Sequence, residues 1–152
     1  MSLVHSYLNY CNLIWGAAYS STIEPLFILQ KKAIRIITNS YYLKHSLPLF
    51  KDQKVLTIYK VYILNCIIFI YKCMKCNLFL EFRGRIKANS DIHDHNTRRK
   101  DLRVNTKPRL TICKNSCLYF GIDKWNLLSS RLKCLNSVEY FKKEVKRFLI
   151  EL

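Results

Sequence analysis

Between Thr57 and Cys76 the chain carries apolar residues around almost the whole circumference of a helix. At 100° per residue, Tyr59, Tyr62, Ile63, Cys66, Ile67, Ile70 and Met74 cover one side, while Val61, Leu64, Ile68 and Phe69 cover much of the rest. Such a helix is stable only when surrounded, so it must be the centre of the fold, and any face left uncovered needs a partner. Its uncharged apolar stretch, Val61 to Tyr71, is about half the roughly 20 residues a membrane-spanning helix requires, so no transmembrane segment is expected.

Three Gly and three Pro in 152 residues give little punctuation for many short strands, which disfavours a β-sandwich or barrel. With 50% hydrophobic residues the chain can bury enough surface to offset ordering entropy. The expected fold is mainly α, a small helical bundle around the central apolar helix. Lys and Arg number 26 against 10 Asp and Glu, a formal net charge of +16. Charge of that size repels itself unless a polyanion or an anionic surface covers it. A membrane surface needs a helix with a wide exposed apolar face. The C-terminal helix is the candidate, and its acids Glu139, Glu144 and Glu151 argue for ordinary packing, so nucleic acid is the expected partner and no membrane is.

Seven cysteines, an odd number at irregular spacings, sit partly inside apolar helical pattern, where reduced Cys behaves as a small hydrophobe. That usage fits a reducing intracellular setting, nuclear or cytoplasmic. The first 23 residues carry no formal charge and contain Gly16-Ala17-Ala18, features of a signal peptide. Against one, the start is not basic, and His5, Ser6, Asn9, Tyr10 and Asn12 interrupt the apolar run.

Periodicity predicts a first helix over Ser2 to Trp15, with Leu3, Tyr7, Tyr10, Leu13 and Ile14 on its apolar face and Gly16 near its end. A second begins at Ser21, with Glu24 completing a capping box and Pro25 in the first turn. Leu26, Leu29, Ala33, Ile36 and Ile37 share one arc of it, taken as the core face; Lys31, Lys32 and Arg35 form a basic stripe opposite, either a solvated face or a track for phosphates. Pro48 reopens a short helical turn ending near Lys54. From about Glu81 to Asn115 helical periodicity fades into a basic loop region. Arg98, Arg99, Lys100, Arg103, Lys107, Arg109 and Lys114 crowd there with only Asp101 against them. Arg103-Val104 and Leu110-Thr111-Ile112 are predicted to pair as one short β-hairpin across Pro108. Helix returns over Ser116 to Arg131, with Tyr119, Ile122, Trp125, Leu128 and Leu132 on one face. The last helix is capped by Ser137 and repeats Val138, Phe141, Val145, Phe148, Leu149 and Leu152.

Polymerase or nuclease chemistry needs clustered carboxylates to hold two divalent ions. The acids here are scattered; Asp91 and Asp94 are the only close pair, and they lie in a His-rich loop. No catalytic residue, metal site or cofactor is assigned. Cys73-x2-Cys76 and Cys113-x3-Cys117 have ligand-like spacings, with His93 or His95 as substitutes, yet the gap between the pairs follows no zinc-finger pattern. The basic residues interleaved with Tyr119, Phe120 and Trp125 suit nucleic acid better, since guanidinium groups grip phosphates and rings stack on unpaired bases; for Trp125 the helix core is the stronger reading.

The segments YLNYCNLIWGAAY (Tyr7 to Tyr19), LQKKAIRII (Leu29 to Ile37), HSLPLFKDQKVLTIYKVY (His45 to Tyr62), HNTR (His95 to Arg98), YFGIDKWNLL (Tyr119 to Leu128) and FKKEVKRFL (Phe141 to Leu149) stand in a recognisable order. Together they resemble the region downstream of the polymerase palm in reverse transcriptases of non-LTR retrotransposons, the LINE-like and jockey-like elements. The resemblance implies that Met1 lies inside a longer ancestral reading frame, with an endonuclease and the palm upstream. Residues 1–80 would correspond to the thumb end, and residues 81–152 to the C-terminal region that holds template RNA and target DNA, packed with it as one unit. It places Lys31, Lys32 and Arg35 in one matching motif, and Thr97 and Arg98 in another. No position matches the catalytic aspartates, so no activity is expected of this chain alone. The family's Gly-Pro after the tyrosine is Gly121-Ile122 here, and its Trp-Asn-x-Leu-Pro turn is Trp125-Asn126-Leu127-Leu128-Ser129. The alternatives are a structural or protein-interaction module, packing on the missing palm or on another protein, and a mobile-element remnant without selected function.

Overall fold

The computed structural model describes residues 2–76, 80–88, 101–104 and 108–151. Among these, ten helices surround one two-stranded sheet: α1 (Ser2–Asn9), α2 (Asn12–Trp15), α3 (Ser20–Ile37), α4 (Ser46–Asp52), α5 (Ile58–Lys75), α6 (Leu80–Arg85), β1 (Ile86–Ala88), β2 (Leu102–Val104), α7 (Thr111–Lys114), α8 (Cys117–Asn126), α9 (Ser130–Lys133) and α10 (Val138–Glu151). The fold is mainly α.

The apolar segment is α5, and it is central. Thr57 caps it, its Oγ1 accepting the Lys60 N–H at 3.4 Å, while Lys72 and Lys75 lie at the negative end of the helix dipole. The chain covers this helix itself: α8 and α10 pack against it, as do α1, α2, α3 and α6. Cys66, Ile70, Tyr71 and Cys73 are wholly hidden, together with Phe141 and Val145 of α10. Tyr71 stacks on Phe141 with ring centres 4.3 Å apart, and its hydroxyl donates to the Leu135 carbonyl at 2.9 Å, so the one polar atom on that ring is satisfied. Residues 1–80 and 81–152 therefore contribute to one shared core.

Several local expectations are corrected. The first helix is broken at Cys11, which takes a left-handed φ of 47° and separates α1 from α2. The turn carries Asn12 into the interior, where its Oδ1 accepts from Asn65 Nδ2 at 3.2 Å; Leu8 is buried and Tyr7, Tyr10 and Ile14 face outward, contrary to the predicted face. No capping box forms on α3. Glu24 instead accepts from the Tyr59 hydroxyl at 2.9 Å and pairs with Lys31 at 3.8 Å, which ties α3 to α5.

The core face of α3 also differs from the predicted arc. Ile23, Gln30 and Ile34 are buried and Phe27 packs beside them, whereas Leu29 and Ile36 are 59% and 79% exposed and Leu26 and Ile37 also face outward. Gln30 explains the choice: its Nε2 donates to the Leu56 carbonyl at 3.0 Å and its Oε1 accepts the Ile58 N–H at 2.9 Å. A buried amide satisfied at both ends locks α3 in this rotation.

The region expected to be loop holds α6 and α7. Strand β2 includes Arg103-Val104, but its partner is β1, antiparallel with Ile86 opposite Val104, Lys87 opposite Arg103 and Ala88 opposite Leu102. Leu110-Thr111-Ile112 does not pair, because Thr111 opens α7. The helix predicted over Ser116 to Arg131 is interrupted between Asn126 and Ser130.

Candidate nucleic-acid interface

The junction of β2 with α7 and α8 is built from side chains that complete backbone hydrogen bonding. Asn126, the last residue of α8, donates from Nδ2 to the Leu102 carbonyl and accepts the Leu102 N–H at Oδ1, both at 3.0 Å. Its carboxamide replaces a neighbouring strand along the edge of β2 that β1 leaves open. Leu102 is thereby seated in the core, and the two-residue period of a strand turns Arg103 outward. Tyr62 of α5 donates its hydroxyl to the Asn115 carbonyl at 2.6 Å, and Ser116 Oγ donates to the Cys113 carbonyl at 2.7 Å, which fixes the joint between α7 and α8 and with it Lys114.

Between these elements lies a cleft of about 650 Å³, lined by Arg103, Lys114 and Tyr119 and by one carboxylate, Asp123. Lys87 stands directly across the ribbon from Arg103, and both are exposed. Like charges opposite each other in an antiparallel pair oppose its formation. An anion shared between them reverses that penalty. The cleft thus brings a guanidinium, an ammonium group and a phenol ring together, with a second ammonium group, Lys87, across the ribbon from Arg103.

The structure places the sequence-predicted residues in two groups. Arg103 and Lys114 share the cleft; Arg109 is exposed on the segment leading into α7 and does not line it. Arg98, Arg99, Lys100 and Lys107 lie outside the described residues, as do Thr97, Asp91, Asp94, His93 and His95. On α3 the basic stripe divides. Lys31 sits 4.0 Å over the Phe27 ring and pairs with Glu24, so its charge is engaged within the fold. Lys32 and Arg35 line a separate groove at the end of the helix.

Of the three aromatic candidates, only Tyr119 lines the cleft. Trp125 is buried against Tyr71 and Phe141, and Phe120 stacks on Tyr62 at 5.4 Å with Lys124 over its ring. Lys87 escaped sequence reasoning because its significance depends on strand register. Asn126 escaped it because an asparagine at the end of a helix carries no mark of its partner.

The cysteines of the ligand-like pairs occupy unlike settings. Cys73 is in the core and burial pushes its thiol up to about 11, whereas Cys76 is exposed at the end of the same helix; Cys113 is exposed and Cys117 half-buried. Among the described residues no three His, Cys, Asp or Glu side chains converge as a metal ion requires, and no helix is long and apolar enough to cross a membrane. No protein-family model, curated protein or solved structure matches the chain.

Proposed function

We propose that this chain is the thumb and post-thumb part of a non-LTR retrotransposon RNA-directed DNA polymerase, and that it binds RNA or DNA through the Arg103–Lys114 cleft. The observation that carries the binding is the juxtaposition of Lys87, Arg103 and Lys114 on a chain of net charge +16. Internal ion pairs such as Lys31–Glu24 and Arg147–Glu144 leave that net charge unchanged, so it calls for an external anion. Within the Trp-Asn motif, Trp125 anchors α8 in the core and Asn126 clamps the strand that presents Arg103. In that role the chain holds template or target for the catalytic palm.

A filter-binding titration against RNA and DNA at low salt tests the proposal. Affinity should fall steeply as salt rises, because each phosphate contact releases condensed counterions. Replacing Arg98, Arg99 and Arg103 by Ala should reduce the slope by up to about three phosphate equivalents. Absence of affinity at low salt overturns the proposal.

A second function, docking on a protein such as the palm, is favoured by one observation. The outer face of α3 leaves Leu26, Leu29, Ile36 and Ile37 exposed, and Tyr41, Tyr42 and Leu43 extend that surface. Self-association or dye binding of the isolated chain that is lost on Leu29→Ser and Ile36→Ser substitution supports it; a dye-silent monomer counts against it.

A further inference from the structure

The C-terminal end of α3 carries a groove of about 410 Å³ lined by Lys32, Arg35, Ile36, Asn39, Ser40 and Tyr42. Its frame is fixed. Asn39 takes a left-handed φ of 47°, the Ser40 N–H reaches the Arg35 carbonyl at 2.9 Å and the Asn39 N–H reaches the Ile36 carbonyl at 3.1 Å, which together close the helix in a Schellman turn. The Thr38 and Ser40 hydroxyls are hydrogen-bonded at 2.9 Å. Arg35 Nε donates to the Lys44 carbonyl at 2.9 Å, which ties the end of the helix to the 41–44 turn. Neither Lys32 nor Arg35 takes part in the ion pairs formed among the described residues.

Two cations without a described carboxylate partner thus border a phenol ring that is 69% exposed and an isoleucine that is 79% exposed. The cations ask for phosphate. The ring and the aliphatic side chain suit a flat apolar surface, which an unpaired base beside its phosphate offers and a paired base, its faces hidden in the stack, does not. We infer that this groove binds an unpaired nucleotide of single-stranded RNA or DNA, with Lys32 and Arg35 on its phosphates and the Tyr42 ring stacked on its base. The inference rests on the nucleic-acid-binding reading above and narrows it to unpaired strands at a second surface.

Fluorescence anisotropy of the full chain against a labelled oligothymidine, and against an oligomer of equal length with abasic sugars in place of the nucleosides, separates the two. The chain should bind oligothymidine about fivefold or more tighter than the abasic probe. Tyr42→Ala should reduce that preference and leave abasic affinity unchanged, Tyr42→Phe should keep it, and Lys32→Ala should weaken both probes alike. Tyr42 is exposed and forms no hydrogen bond within the described residues, so these variants should retain the helical circular dichroism of the parent. Equal affinity for both probes, or a preference undiminished in Tyr42→Ala, overturns the stacking inference while nucleic-acid binding stands. No affinity for either probe at low salt overturns both.

Discussion

Asn126 holds Leu102 by both atoms of its amide, donating to the carbonyl and accepting from the N–H at 3.0 Å each, across 24 residues of sequence. The contact joins the end of α8 to the strand that carries Arg103, so packing and the candidate interface depend on one side chain. Asn126→Ala should cost about 1–3 kcal/mol, the range for stranding partly buried backbone groups. Urea denaturation reads that loss, and hydrogen exchange should show the Leu102 amide deprotected ahead of the α5 amides. An unchanged midpoint would show the clamp to be dispensable.

Gly121 marks where α8 approaches α5 most closely. A Cβ built there would lie 3.0 Å from Ile70 Cγ1 and 3.1 Å from the Cys66 carbonyl oxygen. The carbonyl belongs to a helix and cannot give way as a side-chain end can. Gly121→Ala should therefore destabilise by about 1–3 kcal/mol despite adding helix propensity. Thermal unfolding checks this, and a stabilised variant would contradict the close contact.

The buried thiols set an alkaline limit. Burial pushes Cys66 up to about 12 and Cys73 up to about 11, from an ordinary 9.0. Between those values the unfolded chain has released protons that the folded chain retains. Stability is thus unaffected by these groups below pH 9 and declines as pH rises through 11 to 12. At neutral pH a disulfide-exchange reagent should label Cys11, Cys76, Cys113 and Cys134 promptly, but Cys66 and Cys73 only on unfolding. Prompt labelling of Cys66 would contradict the packing of α8 on α5.

His5 gives the acidic counterpart. Partial burial and the Lys146 and Lys142 ammonium groups lower its affinity for a proton below the ordinary 6.5. The unfolded chain then binds a proton that the folded one resists, so stability should fall as pH drops below 6.5. His5→Gln should flatten that part of the pH profile. An identical profile in the variant would place His5 away from α10.

Much of this was legible in the sequence, and the failures have definite causes. The all-round apolarity of Thr57 to Cys76 leaves one solution, burial, and α5 takes it. Spacing likewise identified Phe141, Val145 and Leu149, which α10 buries, and Ser137, whose Oγ accepts the Tyr140 N–H at 3.4 Å. On α3 periodicity put Leu26, Leu29 and Ile36 on the core face, and the structure turns that face outward. That was decided by Gln30, whose partners Leu56 and Ile58 are remote in sequence. The pairing of β1 with β2 was hidden for the same reason: three-residue strands carry too little pattern to name a distant partner. In the candidate interface the charges were visible as a run, but Lys87 joined them only through register.

The most direct test is the slope of log affinity against log salt for a single-stranded RNA, in the parent chain and in the Arg103→Ala, Lys114→Ala double variant. Two lost phosphate contacts should lower the slope by about 1.4 and weaken binding across sequences alike. A slope identical in parent and variant would contradict the claim that the Arg103–Lys114 cleft is where this chain meets nucleic acid.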